Sequence, residues 1–196
     1  MPLFKKKYHK YTDEDLIGLV AKGDETVFDE LYERYAQKLY HFFYKMLYQN
    51  KAIAADFTQT LFIKAFEKAS YYDSTYKFST WLYTLASNMC KNEYRRISRT
   101  TQTINLEESI KTIEPQAPIT IDMALFNNDL QLAINRLDKK HRLVFVMRYQ
   151  EHKSIKELSE ILECPQGTVK SRLHHALKKL SKDLERFRPY QKKIKG

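Results

Sequence analysis

The stretch Ser154-Ile155-Lys156-Glu157-Leu158-Ser159-Glu160-Ile161-Leu162-Glu163-Cys164-Pro165-Gln166-Gly167-Thr168-Val169-Lys170-Ser171-Arg172-Leu173-His174-His175-Ala176-Leu177 decides how this chain folds. It opens with a capping box. Ser154 suits the N-cap and Glu157 the third helical position, so two orphan amides are satisfied reciprocally. Apolar residues then recur at helical spacing to about Leu162, and Pro165 suits the first position of a second helix, where a missing amide costs nothing. A short capped helix, a tight turn and a longer basic helix form the helix-turn-helix pattern. Ile155, Leu158, Ile161 and Leu162 are expected to pack on Val169, Leu173 and Leu177. Gln166, Lys170, Ser171, His174 and His175 then face outward, placed to reach base edges in a major groove. Any solvated amphipathic hairpin shows such a stripe, so the charge adds weight: residues 165–196 hold ten basic and two acidic side chains. His174 and His175 point about 100° apart on a helix and are poorly placed to share a metal.

Working outward, helices over Leu125 to Leu137 and Lys140 to Gln150 complete a four-helix bundle, residues 124–188, followed by a basic tail, 189–196. Upstream, residues 100–123 change in character. Pro115, Pro118, several Thr and the acids Glu107, Glu108 and Glu114 mark a flexible linker. The remaining residues, 1–99, again show helical periods. Thr12 is an N-cap ahead of Asp13, Glu14 and Asp15, and Asp24 is expected to cap a helix running to about Tyr48. Gln49-Asn50-Lys51 breaks it, and Ala52 to Ser70 carries the stripe Phe57, Leu61, Phe62, Ala65 and Phe66. A polar-aromatic loop over residues 71–77 leads to a last helix from about Ser79 to Ile97. No segment alternates with a period of two. The expected fold is all-α: two small helical domains joined by a flexible linker.

The chain has 196 residues with 34 Lys and Arg against 24 Asp and Glu, and that excess favours a polyanionic partner. Two cysteines, Cys90 and Cys164, stand far apart, which speaks against a disulfide framework or metal site and for small buried groups in a reducing compartment. No apolar run approaches the roughly twenty residues of a spanning helix, and no signal-peptide core follows the N-terminal lysines, so a cytoplasmic protein without membrane insertion is expected. H-E-x-x-H, G-x-x-x-x-G-K and Ser/His/Asp groupings are absent. Catalytic residues and cofactors are accordingly not expected, and a nucleic-acid-processing enzyme would need clustered carboxylates or His/Cys. Instead the first half places Tyr71, Tyr72, Tyr76, Phe78, Trp81 and Tyr83 ahead of Asn88, Lys91, Asn92, Arg95, Arg96 and Arg99. Single-stranded nucleic acid suits such a surface, because unpaired bases stack at ~1–3 kcal/mol each while cations track the backbone. Trp81, with Leu85 four residues on, also fits a core position.

Three segments carry a resemblance. Phe78-Ser79-Thr80-Trp81-Leu82-Tyr83-Thr84-Leu85-Ala86-Ser87-Asn88 resembles the F-x-x-W-L-x-x-I-A-x-N segment of extracytoplasmic-function (ECF) sigma factors. Cys164 to Leu173 is similar to their P-x-G-T-V-K-S-R-L recognition helix, and Phe28 to Tyr40 to their F-x-x-L-Y-x-x-Y segment. The resemblance implies a region 2-like bundle over residues 1–99 and a region 4-like helix-turn-helix bundle over 124–188. The partners it implies are core RNA polymerase (the clamp helices of one large subunit, the flap of the other), promoter DNA both duplex and melted, and an anti-sigma factor. By position it assigns Asp56, Gln59 and Phe62 to polymerase binding, with Ile53, Ala55 and Thr60 standing where the family usually has further acids. Recognition of the −10 element falls to Tyr72, Asp73, Tyr76, Lys77, Trp81, Asn88, Lys91, Asn92, Arg95 and Arg96. Readout of the −35 element falls to Gln166, Lys170, Ser171, His174 and His175, with Thr168 and Arg172 nearer the phosphates. The nearest rival is a helix-turn-helix activator or repressor, which would bind duplex DNA alone as a dimer. The aromatic, basic first half is not the ligand or receiver domain such a regulator needs.

Overall fold

The computed structural model describes residues 8–47, 49–103 and 123–187. Its α-helices are α1 (Asp13–Val20), α2 (Phe28–Met46), α3 (Lys51–Glu67), α4 (Phe78–Thr103), α5 (Met123–Asn135), α6 (Lys139–Tyr149), α7 (Ile155–Leu162) and α8 (Gln166–Asp183). No strand occurs among the described residues.

Side-chain caps start three of these helices, α1, α3 and α7. Thr12 Oγ1 accepts the Asp15 amide at 3.1 Å while Asp15 accepts the Thr12 amide at 3.2 Å, a reciprocal cap for α1. Asn50 Oδ1 accepts the Ile53 amide at 3.1 Å and starts α3. The expected box at Ser154 and Glu157 is present, with bonds of 3.1 and 2.8 Å.

Three local expectations are corrected. Asp24 does not cap α2; its carboxylate accepts the Thr26 hydroxyl at 2.7 Å, and a 3-10 turn, Glu25–Val27, leads into the helix. Pro165 is the N-cap of α8 rather than its first helical residue, its carbonyl accepting the Thr168 and Val169 amides at 2.9 and 3.2 Å. Helix α4 continues past Ile97 to Thr103, into the expected linker, because neither Gly nor Pro interrupts the chain there. The rest of that linker and the basic tail lie outside the described residues.

Helices α1 to α4 enclose one core, in which Leu16, Ile17, Leu31, Leu39, Phe42, Phe43, Leu61, Phe78 and Leu82 are fully buried. Tyr35 and Tyr94 bring polar atoms into it and satisfy them, the hydroxyls donating to Asp13 Oδ2 and to the Met46 carbonyl. Helices α5 to α8 close a second core around Val144, Val146, Met147, Leu158, Ile161, Val169 and Ala176. Cys90 is buried in the first bundle, Cys164 is half-buried in the second, and both are free thiols.

The bundles meet along α4 with α7 and α2 with α6. The Tyr83 hydroxyl donates to Glu151 at 2.5 Å, and the Lys153 ammonium donates to Ser79 Oγ at 3.1 Å while lying 4.6 Å from the Tyr83 ring centroid. Lys77 pairs with Glu157 at 3.5 Å, and Lys139 sits 4.6 Å from the Tyr94 ring centroid. Lys153 is only 8% exposed. Burial pulls its pKa below the usual lysine range, against the opposing pull of Glu157 and Glu151.

Candidate nucleic-acid interface

Helix α8 is held by Val169, Leu173, Ala176 and Leu180, all buried. That stripe turns Gln166, Lys170, Ser171, His174 and His175 to solvent, and all five are exposed. Thr168 and Arg172 are half-buried at the flank. The turn before α8 is tightly built. Glu163 caps α7 in the left-handed region at φ 52, and the Ser159 hydroxyl donates to the Cys164 carbonyl at 2.7 Å. Arg172 Nη1 lies 3.8 Å from Cys164 Sγ, so its guanidinium folds back on the turn. The His175 ring is 5.7 Å from that of His141 on α6 and 5.8 Å from that of His174. The expectation that Leu177 packs in the hairpin core is corrected. It is 42% exposed and lines an open groove of about 420 Å³ with Phe126, Leu130, Phe145, Leu184 and Phe187.

The second set of candidate residues gathers at the start of α4 and along one of its faces. Asn88 lies seven residues after Trp81, Lys91 and Asn92 lie three and four after Asn88, and Arg95 lies four and three after those, which on a helix makes one ridge. Asn92, Arg95 and Arg96 are exposed, Trp81, Asn88 and Lys91 half-buried. Lys91 donates to Asn88 at 3.0 Å and Arg95 to Asn92 at 3.3 Å, so each cation is tied to a neutral amide of its own helix. Arg96 instead pairs with Glu93 at 2.7 Å.

Ahead of this ridge, residues 72–77 form a built loop. Asp73 accepts the Thr75 amide at 2.9 Å and its carbonyl takes the Tyr76 amide at 3.1 Å. The Tyr72 hydroxyl donates to the Tyr76 carbonyl, and its ring meets Phe78 and Trp81 edge-on at 6.1 and 5.5 Å. Burial, with the charges of Glu14, Asp73 and Asp13, pushes the Tyr72 hydroxyl up to about 12, so it remains a donor. Tyr72 therefore braces the loop. Tyr76 at 49% exposed and Tyr71 at 81% present the free aromatic faces. Tyr71, absent from the residues assigned to −10 recognition, is the most exposed large hydrophobic of this region. Its place in a polar segment with no helical period was the available signal.

On α3, Asp56 and Gln59 are exposed. Phe62 is not on that surface. It is 4% exposed, with ring centroids 6.0 Å from Phe28 and 4.7 Å from Tyr32. The apolar groups that accompany Asp56 and Gln59 outward are Ile63, 59% exposed, and Phe66, 36% exposed. Among the described residues no group of three or more His, Cys, Asp or Glu is placed to hold a metal, and no helix is long and apolar enough to cross a membrane.

Comparison with known proteins agrees with this division. The family model Sigma-70 region 2 matches residues 31–100, and Sigma-70, region 4 matches residues 127–180. The chain is 32% identical over 180 residues to the ECF RNA polymerase sigma factor SigW of Bacillus subtilis (strain 168), covering 86% of this chain and 94% of that protein. It is 29% identical over 175 residues to the ECF RNA polymerase sigma-E factor of Escherichia coli (strain K12), covering 84% and 90%. The sigma factor RpoE of Bartonella quintana, solved with the anti-sigma factor NepR, has the same fold, with a TM-score of 0.66 over 81% of this chain and 96% of that one at 23% identity.

Proposed function

This chain belongs to the extracytoplasmic-function family of RNA polymerase sigma factors, and on that premise we propose how its two bundles share the work. It is an alternative sigma factor that directs promoter-specific transcription initiation, a DNA-binding factor rather than an enzyme.

Helix α8 enters the major groove of the −35 element. Lys170, Ser171, His174 and His175 meet base edges there, with Gln166 at the helix start and Thr168 and Arg172 beside the phosphates. The loop 71–77 and the α4 ridge take the melted −10 strand. Tyr71 and Tyr76 stack on bases, and Lys91, Arg95 and Arg96 follow the backbone. Asp56, Gln59, Ile63 and Phe66 on α3 dock on the clamp helices of the polymerase. The groove at Leu177 and Phe126 receives an apolar segment of the flap. An anti-sigma factor, the kind of partner with which Bartonella RpoE was solved, fits the same apolar surfaces. Each DNA site alone is weak; polymerase, by fixing the separation of the bundles, raises the effective concentration of the second once the first is bound.

The observation that carries this reading is that one chain sets an outward polar row on a helix-turn-helix beside an aromatic loop that leads into a basic ridge. The test is in vitro transcription with core RNA polymerase of the host bacterium, with and without the protein, over a genomic promoter library. Start sites that appear only with the protein, sharing sequences near −10 and −35, are expected. No binding to core, with duplex footprints from the protein alone, would mean an ordinary helix-turn-helix regulator.

A further inference from the structure

Helix α4 begins without a cap of its own. Its first residue is Phe78, Lys77 before it is not a capping side chain, and no acid stands in its first turn. The acceptor comes from elsewhere: Glu14 Oε1 takes the Phe78 amide at 2.8 Å across 64 residues of chain. Glu14 is the second residue of α1 and is half-buried. It is not needed for the cap of its own helix, which Thr12 and Asp15 form between them. Helix α1 is in turn fastened to α2, because Arg34 Nη1 donates to Asp13 at 2.7 Å and to the Tyr11 carbonyl at 3.0 Å. It also packs against the turn that precedes the loop. The Glu14 carboxylate thus sits where the loop ends, and the Tyr72–Tyr76 bond closes the loop from within. A negative charge at a helix start is favoured, so the bond is stronger than a neutral cap would give.

We propose that Glu14 is a positioning residue for −10 recognition: by capping α4 from α1 it fixes the loop that carries Tyr76 in the form the melted strand binds. This rests on the assignment of that loop to the −10 element. Preorganisation acts on affinity because the free loop has less freedom to lose on binding. Removing the cap leaves the aromatic and basic side chains in place but lets the hinge between loop and helix move. The effect falls on strand binding and spares α3 and α8.

The test uses holoenzyme reconstituted from core polymerase and full-length protein. The probe is a fluorescein-labelled single-stranded oligonucleotide carrying the −10 segment of a promoter mapped by the transcription experiment above. Glu14→Ala is expected to bind this strand about 5- to 10-fold more weakly, in line with the usual cost of losing a cap. Affinity for core polymerase and for a −35 duplex should stay within twofold of wild type. Glu14→Gln keeps an acceptor oxygen and should recover most of the loss. Strand binding unchanged in Glu14→Ala, an equal loss of core affinity, or a Glu14→Gln variant as weak as Glu14→Ala would each overturn the proposal. Should Glu14→Ala fail to fold, amide exchange in the wild type decides. Phe78 should be protected although it opens its helix, and free exchange there would overturn the cap. Wild-type holoenzyme that gives the mapped transcripts yet ignores the −10 strand would defeat the loop assignment itself, and the proposal with it.

Discussion

Lys170 is exposed on α8 just past its first turn, beside Ser171 and one helical turn before His174. Lys170→Ala is expected to weaken binding of a −35 duplex by about tenfold, within the ~1–3 kcal/mol of a good base contact, while core affinity holds. Anisotropy titrations at several salt concentrations check this, and a parallel loss of core affinity would indicate misfolding instead. His141 makes a prediction of another kind. Its side chain is 16% exposed and lies 3.3 Å from Asp138. Burial, with the nearby Lys140 and His175, lowers its pKa against the pull of Asp138. A histidine whose folded pKa is depressed adds stability that is complete above the unfolded value and is lost as pH falls from there through the folded value. Melting temperature should therefore drop between about pH 7 and pH 5, and His141→Gln should flatten that part of the profile. Both residues were visible in the sequence as single letters. The proximity of His141 to His175 was not, since it arises only when α6 packs across α8.

Helix α3 shows how far a periodic pattern carries. The stripe Phe57, Leu61, Phe62, Ala65 and Phe66 located the helix and its buried side correctly in the main, because spacing alone sets which residues share a face. It missed at one edge, Phe66; the outward place given to Phe62 came from the resemblance and not from the stripe. Phe62 lies inside, Phe66 at the rim, and Ile63 points out at 59% exposure. Ile63→Glu should lower affinity for core polymerase, with a stability change within about 0.5 kcal/mol because the site is exposed. Pull-down with core and thermal melting, run together, separate the two effects. At α7 the cap was legible because all its atoms lie within four residues. Ser154→Ala should cost about 1 kcal/mol in the unfolding of the second bundle, read by chemical denaturation. The Glu14 cap on α4 spans too much chain for any local rule to find it. Its carboxylate looked like one more acid in the first turn of its own helix.

Across the whole molecule, the all-helical architecture and the division into two bundles followed from periodicity, breakers and charge, all properties of contiguous segments. The contact between the bundles did not, because it depends on which polar side chains of α4 and of the turn between α6 and α7 meet once each core has closed. Tyr83→Phe combined with Lys153→Met removes the bonds to Glu151 and Ser79 while keeping both volumes. The bundles should then separate, with a larger radius of gyration in small-angle X-ray scattering and unchanged helical content in circular dichroism. This contact also has a thermodynamic consequence. Ser79, at the entry to α4, is the partner of Lys153 in the docked arrangement. Any ligand that needs Ser79 uncovered binds only the undocked fraction, and its apparent dissociation constant is the intrinsic one divided by that fraction. Docking favoured by ~2.7 kcal/mol would leave about one molecule in a hundred receptive and weaken such a ligand about a hundredfold. The strength of a few bonds between the bundles would then set the concentration at which this factor begins to act.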